Sequence, residues 1–163
     1  MSDAARPADP NPEGPIVLFD GVCNLCAGAV RFIIRRDRRG RHGRFRFAAL
    51  QSDAGRRILA ATGVETPGPG EPLPEAEEPP ASLILVADGR THARSGAALR
   101  IAAGLDAGWP LLAVFLVVPA PLRDWAYRVV ARNRYRWFGK ETACELPRNE
   151  ESWRFIDTAG PAP

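Results

Sequence analysis

Two cysteines three residues apart, Cys23 and Cys26, stand in the stretch "IVLFDGVCNLCAGAVRFIIRR" (Ile16 to Arg36), and an aspartate, Asp20, lies three residues before the first. Three readings are open to such a pair: it can exchange disulfides, supply half of a metal site, or fill a core with two small side chains. Disulfide exchange needs a thiolate. An ordinary thiol with a pKa of about 8.5 is mostly protonated at neutral pH, so local structure has to favour the anion. Zinc needs four ligands, and the further candidates are Cys144, His42 and His92, none in a second closely spaced pair. The core-filling reading needs only burial, and cysteine is among the most often buried residues.

The flanking elements discriminate between these readings. Ile16 to Phe19 is a short, fully apolar run of the kind found in a strand covered on both faces, and Asp20-Gly21 ends it. From Asn24 to Arg36 the apolar Leu25, Val30, Ile33 and Ile34 recur at helical spacing, while Arg31 and Arg35 share the wet side. The first sulfur therefore falls at a helix N-terminus, where unsatisfied N–H groups and the macrodipole stabilise an anion. Cys26 follows one turn later, within reach of disulfide geometry. This context favours thiol–disulfide exchange of the protein-disulfide reductase type, with Cys23 attacking, Cys26 resolving the mixed disulfide, and no cofactor or metal. Asp20 has two readings: a buried carboxylate of raised pKa that takes and returns the Cys26 proton, or an Asx-type turn residue that ends the strand. The alternative from another class is a non-catalytic interaction module in which the pair is structural or binds zinc.

Around that unit the chain reads as one α/β domain. Residues 1–15, rich in Pro, Ala and Asp, form a disordered leader. After the glycine turn at Gly40 and Gly43, "RFRFAAL" alternates Phe45 and Phe47 with arginine, as in a strand polar on one face. Ser52 then caps a helix that ends at Gly63. The proline-rich acidic loop from Glu65 to Pro80 cannot hold regular structure. A hairpin follows, with strands at Leu83–Val86 and Thr91–Arg94 about an Asp88-Gly89 turn, and then a helix capped by Ser95 and ending at Gly104. A buried or interfacial helix is expected from Leu111 to Val118. The last amphipathic helix starts at Leu122, with Trp125, Val129 and Val130 at core-like spacing, and Gly139 terminates it. The order β-α-β-α and a later β-β-α unit is the thioredoxin plan: a central sheet with flanking helices, extended by C-terminal helices. The domain spans 16–147, and 148–163 is a tail.

Composition bounds the function further. Of the 22 basic residues, only Lys140 is lysine, and eight Arg against one Asp between Arg31 and Arg46 make a local charge of +7 that must be exposed or meet an acidic partner. No nucleic-acid-binding motif accompanies it, and one wet sheet face explains the alternating Arg and Phe, so nucleic acid is not an expected partner. The dense cluster Arg134, Tyr135, Arg136 and Trp137 either covers the end of the core or meets a partner. His42 and His92 are expected to face solvent. The uncharged stretch Ala107–Leu122 has 16 residues and carries Pro110, Pro119 and Pro121. A span needs about 20 apolar residues, so the chain is not transmembrane, although peripheral membrane contact is compatible with the pattern. Three cysteines are too few for a secreted disulfide framework, and the first eleven residues lack an apolar signal-peptide core; the expected location is cytoplasmic.

The motif "FDGVCNLC" and the later segments "RFRFAALQSDAG", "LVADGRTHARSGAALRIAAGL" and "PLRDWAYRVVARNRYRWFG" resemble the DCC family of predicted thiol–disulfide oxidoreductases over roughly Ile16 to Pro147. The resemblance implies a thioredoxin-like fold and carries the motif positions onto Asp20, Cys23 and Cys26. It implies protein or small-molecule disulfides as substrates and a separate reductant or oxidant as partner. Two departures from ordinary thioredoxins stand out: Asn24-Leu25 replaces Gly-Pro between the cysteines, and the nearest candidate for the cis-proline that faces the active site is Pro80, before Ala81-Ser82. Cys144 follows the last helix and is either a third redox thiol or an inert, isolated one.

Overall fold

A computed structural model describes residues 14–37, 45–62, 83–139 and 154–156. The leader through residue 13, the proline-rich loop with Pro80, His42 and Cys144 lie outside the described residues. The elements are β1 (Ile16–Phe19), α1 (Asn24–Arg36), β2 (Arg46–Ala49), α2 (Asp53–Ala61), β3 (Leu83–Ala87), β4 (Arg90–Ala93), α3 (Arg94–Ala103), a 3-10 helix (Trp109–Val117) and α4 (Ala120–Phe138).

Four strands form one mixed sheet in the order β2-β1-β3-β4. β1 runs parallel to β2, with Phe19 opposite Ala49, and antiparallel to β3, with Phe19 opposite Leu83. Its side chains alternate between two cores. Val17 and Phe19 join Val30 and Ile33 of α1 and Ala97 and Ile101 of α3, while Leu18 packs with Ala48, Leu50 and Leu59 on the other face. Coverage on both faces is why every position of β1 is apolar. Each such buried aliphatic or aromatic side chain contributes about 1.5–3 kcal/mol. The architecture is the mixed α/β sheet with flanking helices expected of a thioredoxin-like chain.

Local chemistry sets the element ends. Asp88 and Gly89 both take positive φ, 51° and 68°, as a tight two-residue hairpin turn requires. Ser52 caps α2 by accepting from the Gly55 N–H at 3.0 Å. At Gly55 a Cβ would come within 2.1 Å of the Ala49 carbonyl oxygen, so only glycine lets α2 press this closely on the end of β2. The expected cap of α3 is corrected: the helix begins at Arg94 with Ala93 at its N-cap, and Ser95 instead donates its hydroxyl to Asp124 of α4.

The C-terminal half departs furthest from expectation. The segment expected as a buried or interfacial helix is a 3-10 helix with no buried residue, so the buried alternative is wrong. α4 starts at Ala120, with Pro121 in its first turn, where a missing N–H costs nothing. Trp125, Val129 and Val130, read as core, are 61%, 38% and 42% exposed. The packed side of α4 is instead the row containing Ala131 and Arg134, its two buried residues. Finally, Arg154 to Ile156, within the stretch read as a tail, return to the sheet. Phe155 pairs with Phe47 of β2, with ring centroids 5.5 Å apart, and Ile156 donates its N–H to the Phe47 carbonyl at 2.9 Å.

Candidate redox site

β1 delivers Asp20, and the turn after it delivers Cys23 to the N-cap of α1. Cys23 is the N-cap residue, with extended backbone (φ −102°, ψ 116°), and its carbonyl accepts the first helical bond from Ala27 at 2.9 Å. No side chain caps this helix end. The sulfur of Cys23 thus occupies the position where Ser or Asp commonly satisfies the free N–H groups. Cys26 lies one turn on, its thiol in hydrogen-bonding contact with Cys23. The two thiols are not joined in a disulfide, and both are buried, Cys23 at 1% exposure and Cys26 at 6%.

Asp20 is the hub beside them. Its Oδ1 accepts from the Val22 N–H at 3.1 Å, which is the Asx-type turn, and from Gln51 Nε2 at 2.8 Å. Its Oδ2 accepts from Arg134 Nη2 at 3.1 Å and from the Tyr135 hydroxyl. Arg134 in turn donates to the Tyr135 oxygen at 2.9 Å, and the guanidinium lies 4.5 Å from the Tyr135 ring centroid. Gln51 also fixes the turn from the other side, since its Oε1 accepts from the Gly21 N–H at 3.0 Å. At the far end of α4, Asn24 donates its side-chain amide to the Phe138 carbonyl at 3.0 Å. The C-terminal turns of α4 are therefore fastened over the start of α1.

Electrostatics follow from this packing. Burial is the largest influence on Asp20 and pushes its pKa up, but the bonds from Tyr135, Val22 and Gln51 and the charge of Arg134 together outweigh it. The carboxyl is held below the ordinary aspartate range. This corrects the reading of Asp20 as a raised-pKa proton carrier: it remains an anion at neutral pH, and the Asx-turn reading describes its geometry. Burial works against the Arg134 charge, but Tyr135 and Asp20 prevail and keep it protonated. The Tyr135 hydroxyl is pushed up to about 12 by burial and by its bond to Asp20. For Cys26, burial, the contact with Cys23 and the charge of Asp20 all push the thiol far above the usual cysteine range, with Arg134 opposing them.

Beside the pair an apolar cavity of about 110 Å³ is lined by Leu25, Cys26, Leu83, Val130, Ala131 and Arg134, among others. It opens on Cys26 rather than on Cys23. Among the described residues no three His, Cys, Asp or Glu side chains gather as a metal site. His92 is on the edge strand β4 and is partly exposed.

The structure brings Cys23, Cys26 and Asp20 together. Sequence reasoning missed Gln51, Arg134 and Tyr135 as members of the site. Arg134 and Tyr135 did stand out as part of an aromatic-basic cluster, and the helical period splits it: Arg134 is buried and Tyr135 half-buried, while Arg136 and Trp137 are exposed.

The same stretch of chain is what known proteins share. A family model described as DCC1-like thiol-disulfide oxidoreductase matches residues 17–140, which include Asp20, both cysteines of the pair, Gln51, Arg134 and Tyr135. The uncharacterized protein YuxK of Bacillus subtilis is 39% identical over 141 residues, covering 86% of this chain and 93% of that protein. A chloroplastic DCC family protein of Arabidopsis thaliana is 41% identical over 133 residues, covering 81% of this chain and 69% of that protein. No solved structure gives a significant match.

Proposed function

The chain belongs to the DCC1-like family of thiol–disulfide oxidoreductases, and on that premise we propose that it works as a disulfide reductase in which Cys23 attacks and Cys26 resolves. In the first step the Cys23 thiolate attacks one sulfur of a substrate disulfide; a Cys23–substrate mixed disulfide forms and one substrate thiolate leaves. In the second, Cys26 attacks the Cys23 sulfur while its proton passes to the departing substrate sulfur, so that the Cys23–Cys26 disulfide forms and the second substrate sulfur leaves as a thiol. Two electrons pass from the pair to the substrate. A separate dithiol reductant returns them.

The observation that carries this order is the inequality of the two sulfurs. Cys23 stands at the N-cap of α1, beside the N–H groups that no side chain caps and at the positive end of the helix dipole. Cys26 is held as a thiol by burial, by Cys23 and by Asp20. A thiol kept protonated suits the resolving role, because it leaves the mixed disulfide intact until the substrate has docked. Exposure favours the opposite order, since the cavity opens on Cys26, but an accessible sulfur that stays protonated is a poor nucleophile. The cavity fits better as the seat for an apolar group flanking the substrate sulfur. Asp20, ionised and fully engaged, then acts as a positioning residue: it holds Arg134 and Tyr135 against the pair.

The test is reduction of a protein disulfide by the dithiol form under a regenerating reductant. Wild-type turnover is expected, with Cys23→Ser inactive and with one disulfide, Cys23–Cys26, recovered by peptide mapping after oxidation. Retention of full activity by Cys23→Ser would refute the reading. So would about one equivalent of zinc bound through both thiols in protein purified without chelator, which would establish the non-catalytic alternative.

A further inference from the structure

Among the described residues, ten of the eleven exposed large hydrophobic side chains fall between Leu111 and Phe138. The 3-10 helix contains no charge and no buried residue, and its Leu111 and Val117 are 76% and 85% exposed. A patch of this density is unusual on a soluble monomer's surface and marks an interaction site. It continues onto α4. Leu122, Trp125, Val129, Arg132 and Arg136 recur at intervals of three and four residues, so they form one stripe along the helix, and all five are exposed. The stripe is graded: its N-terminal half, next to the 3-10 helix, is apolar, and its C-terminal half is cationic. Residues 107–139 carry five Arg and one Asp, and that Asp124 is tied to Ser95.

From this grading we propose that the 3-10 helix and the outer stripe of α4 dock on the surface of an anionic phospholipid bilayer. The uncharged 3-10 helix enters the boundary between headgroups and acyl chains, with Trp125 at the level where indole rings settle. Arg132 and Arg136 meet lipid phosphates further out, their stems along the apolar surface and their heads in the headgroup layer. None of the described helices is long and apolar enough to cross a membrane, so the contact is one of lying on the surface. Charge complementarity chooses this occupant. A second copy docked through the same surface would bring two sets of arginine into one interface, with no acidic side chain on the stripe to offset them. The inner row of the same helix carries Arg134 to Asp20, so docking would hold the cysteine pair near the bilayer surface. The inference stands on the exposed residues alone and does not require the redox reading.

The full chain is tested by flotation with phosphatidylcholine vesicles made with and without phosphatidylglycerol. Co-flotation is expected with the anionic vesicles, accompanied by a blue shift of tryptophan emission, and it should weaken as salt rises. Leu111→Glu combined with Val117→Glu should lower binding by about tenfold or more, since charge is placed where apolar side chains enter. Arg132→Glu with Arg136→Glu should remove the preference for anionic vesicles. Both pairs are exposed and outside the redox site, so reduction of a soluble disulfide should be unchanged, which separates failure of this proposal from failure of the redox one. Absence of flotation, flotation indifferent to these substitutions, or concentration-dependent self-association or capture of an acidic protein through this face without vesicle binding would each overturn it.

Discussion

α1 is held at each end by a buried aspartate–arginine pair. At its start Asp20 meets Arg134 at 3.1 Å, and just past its end Asp37 meets Arg154 at 3.2 Å. Both arginines come from more than a hundred residues downstream, and all four side chains are almost wholly buried. Yet the neighbours differ. Asp37 bonds to the Phe45 N–H, and Arg154 also donates to the Asp37 carbonyl, so this pair staples backbone to backbone. Asp20 is shared with Gln51 and Tyr135 and acts through space on Cys26. The same ion pair is a clasp at one end and part of a redox site at the other. What a buried charge does is decided by what it faces, not by its burial.

Substitutions at the two arginines should separate these roles. Removing one partner of a buried pair leaves the other charge unpaired and costs about 3–5 kcal/mol. Arg154→Ala and Arg134→Ala should both lose stability on this scale in chemical denaturation. Only Arg134→Ala should also slow disulfide reduction per folded molecule, and about tenfold is expected if its charge assists Cys26 by about 1.4 kcal/mol. Equal catalytic losses for both would erase the distinction. A smaller effect is expected of Tyr135→Phe, which removes one hydrogen bond to an ionised carboxylate, worth about 1.5–3 kcal/mol.

Much of this arrangement can be read from the chain. Apolar β1, the amphipathic spacing of α1, the Asp88-Gly89 hairpin and the Ser52 cap are local signals, and each element forms where its residues place it. Asp20 was legible as a neighbour of the sulfurs because three residues of turn cannot carry it far. Arg134, Tyr135, Gln51 and Arg154 were not legible as partners, because contact across so many residues leaves no local trace. α4 misled for a related reason. Its large apolar residues Trp125, Val129 and Val130 mark the stripe that a core would take, yet the helix packs through small Ala131 and charged Arg134. Periodicity identifies the faces of a helix but not which one has a partner.

Two pH effects sharpen the comparison further, both smaller than the substitutions. Asp20 has a folded pKa below its unfolded value of about 3.9, so its stabilisation is present above that pH and is lost as pH falls through the folded value. Asp20→Asn should therefore flatten the acid limb of the stability profile below about pH 4. Cys26 has a folded pKa above its unfolded value of about 8.5, so its contribution is intact below that pH and declines as pH rises. The reduced protein should lose stability above about pH 8.5, and Cys26→Ala should lose less of it over the same range.

The central claim is the division of labour between the two sulfurs. It is tested most directly by incubating Cys26→Ser with a protein disulfide, quenching with acid, and mapping the covalent adduct by mass spectrometry. The account predicts a stable mixed disulfide on Cys23, absent when Cys23 is replaced instead. An adduct that accumulates on Cys26 in the Cys23→Ser protein, with none on Cys23 in the Cys26→Ser protein, would contradict it.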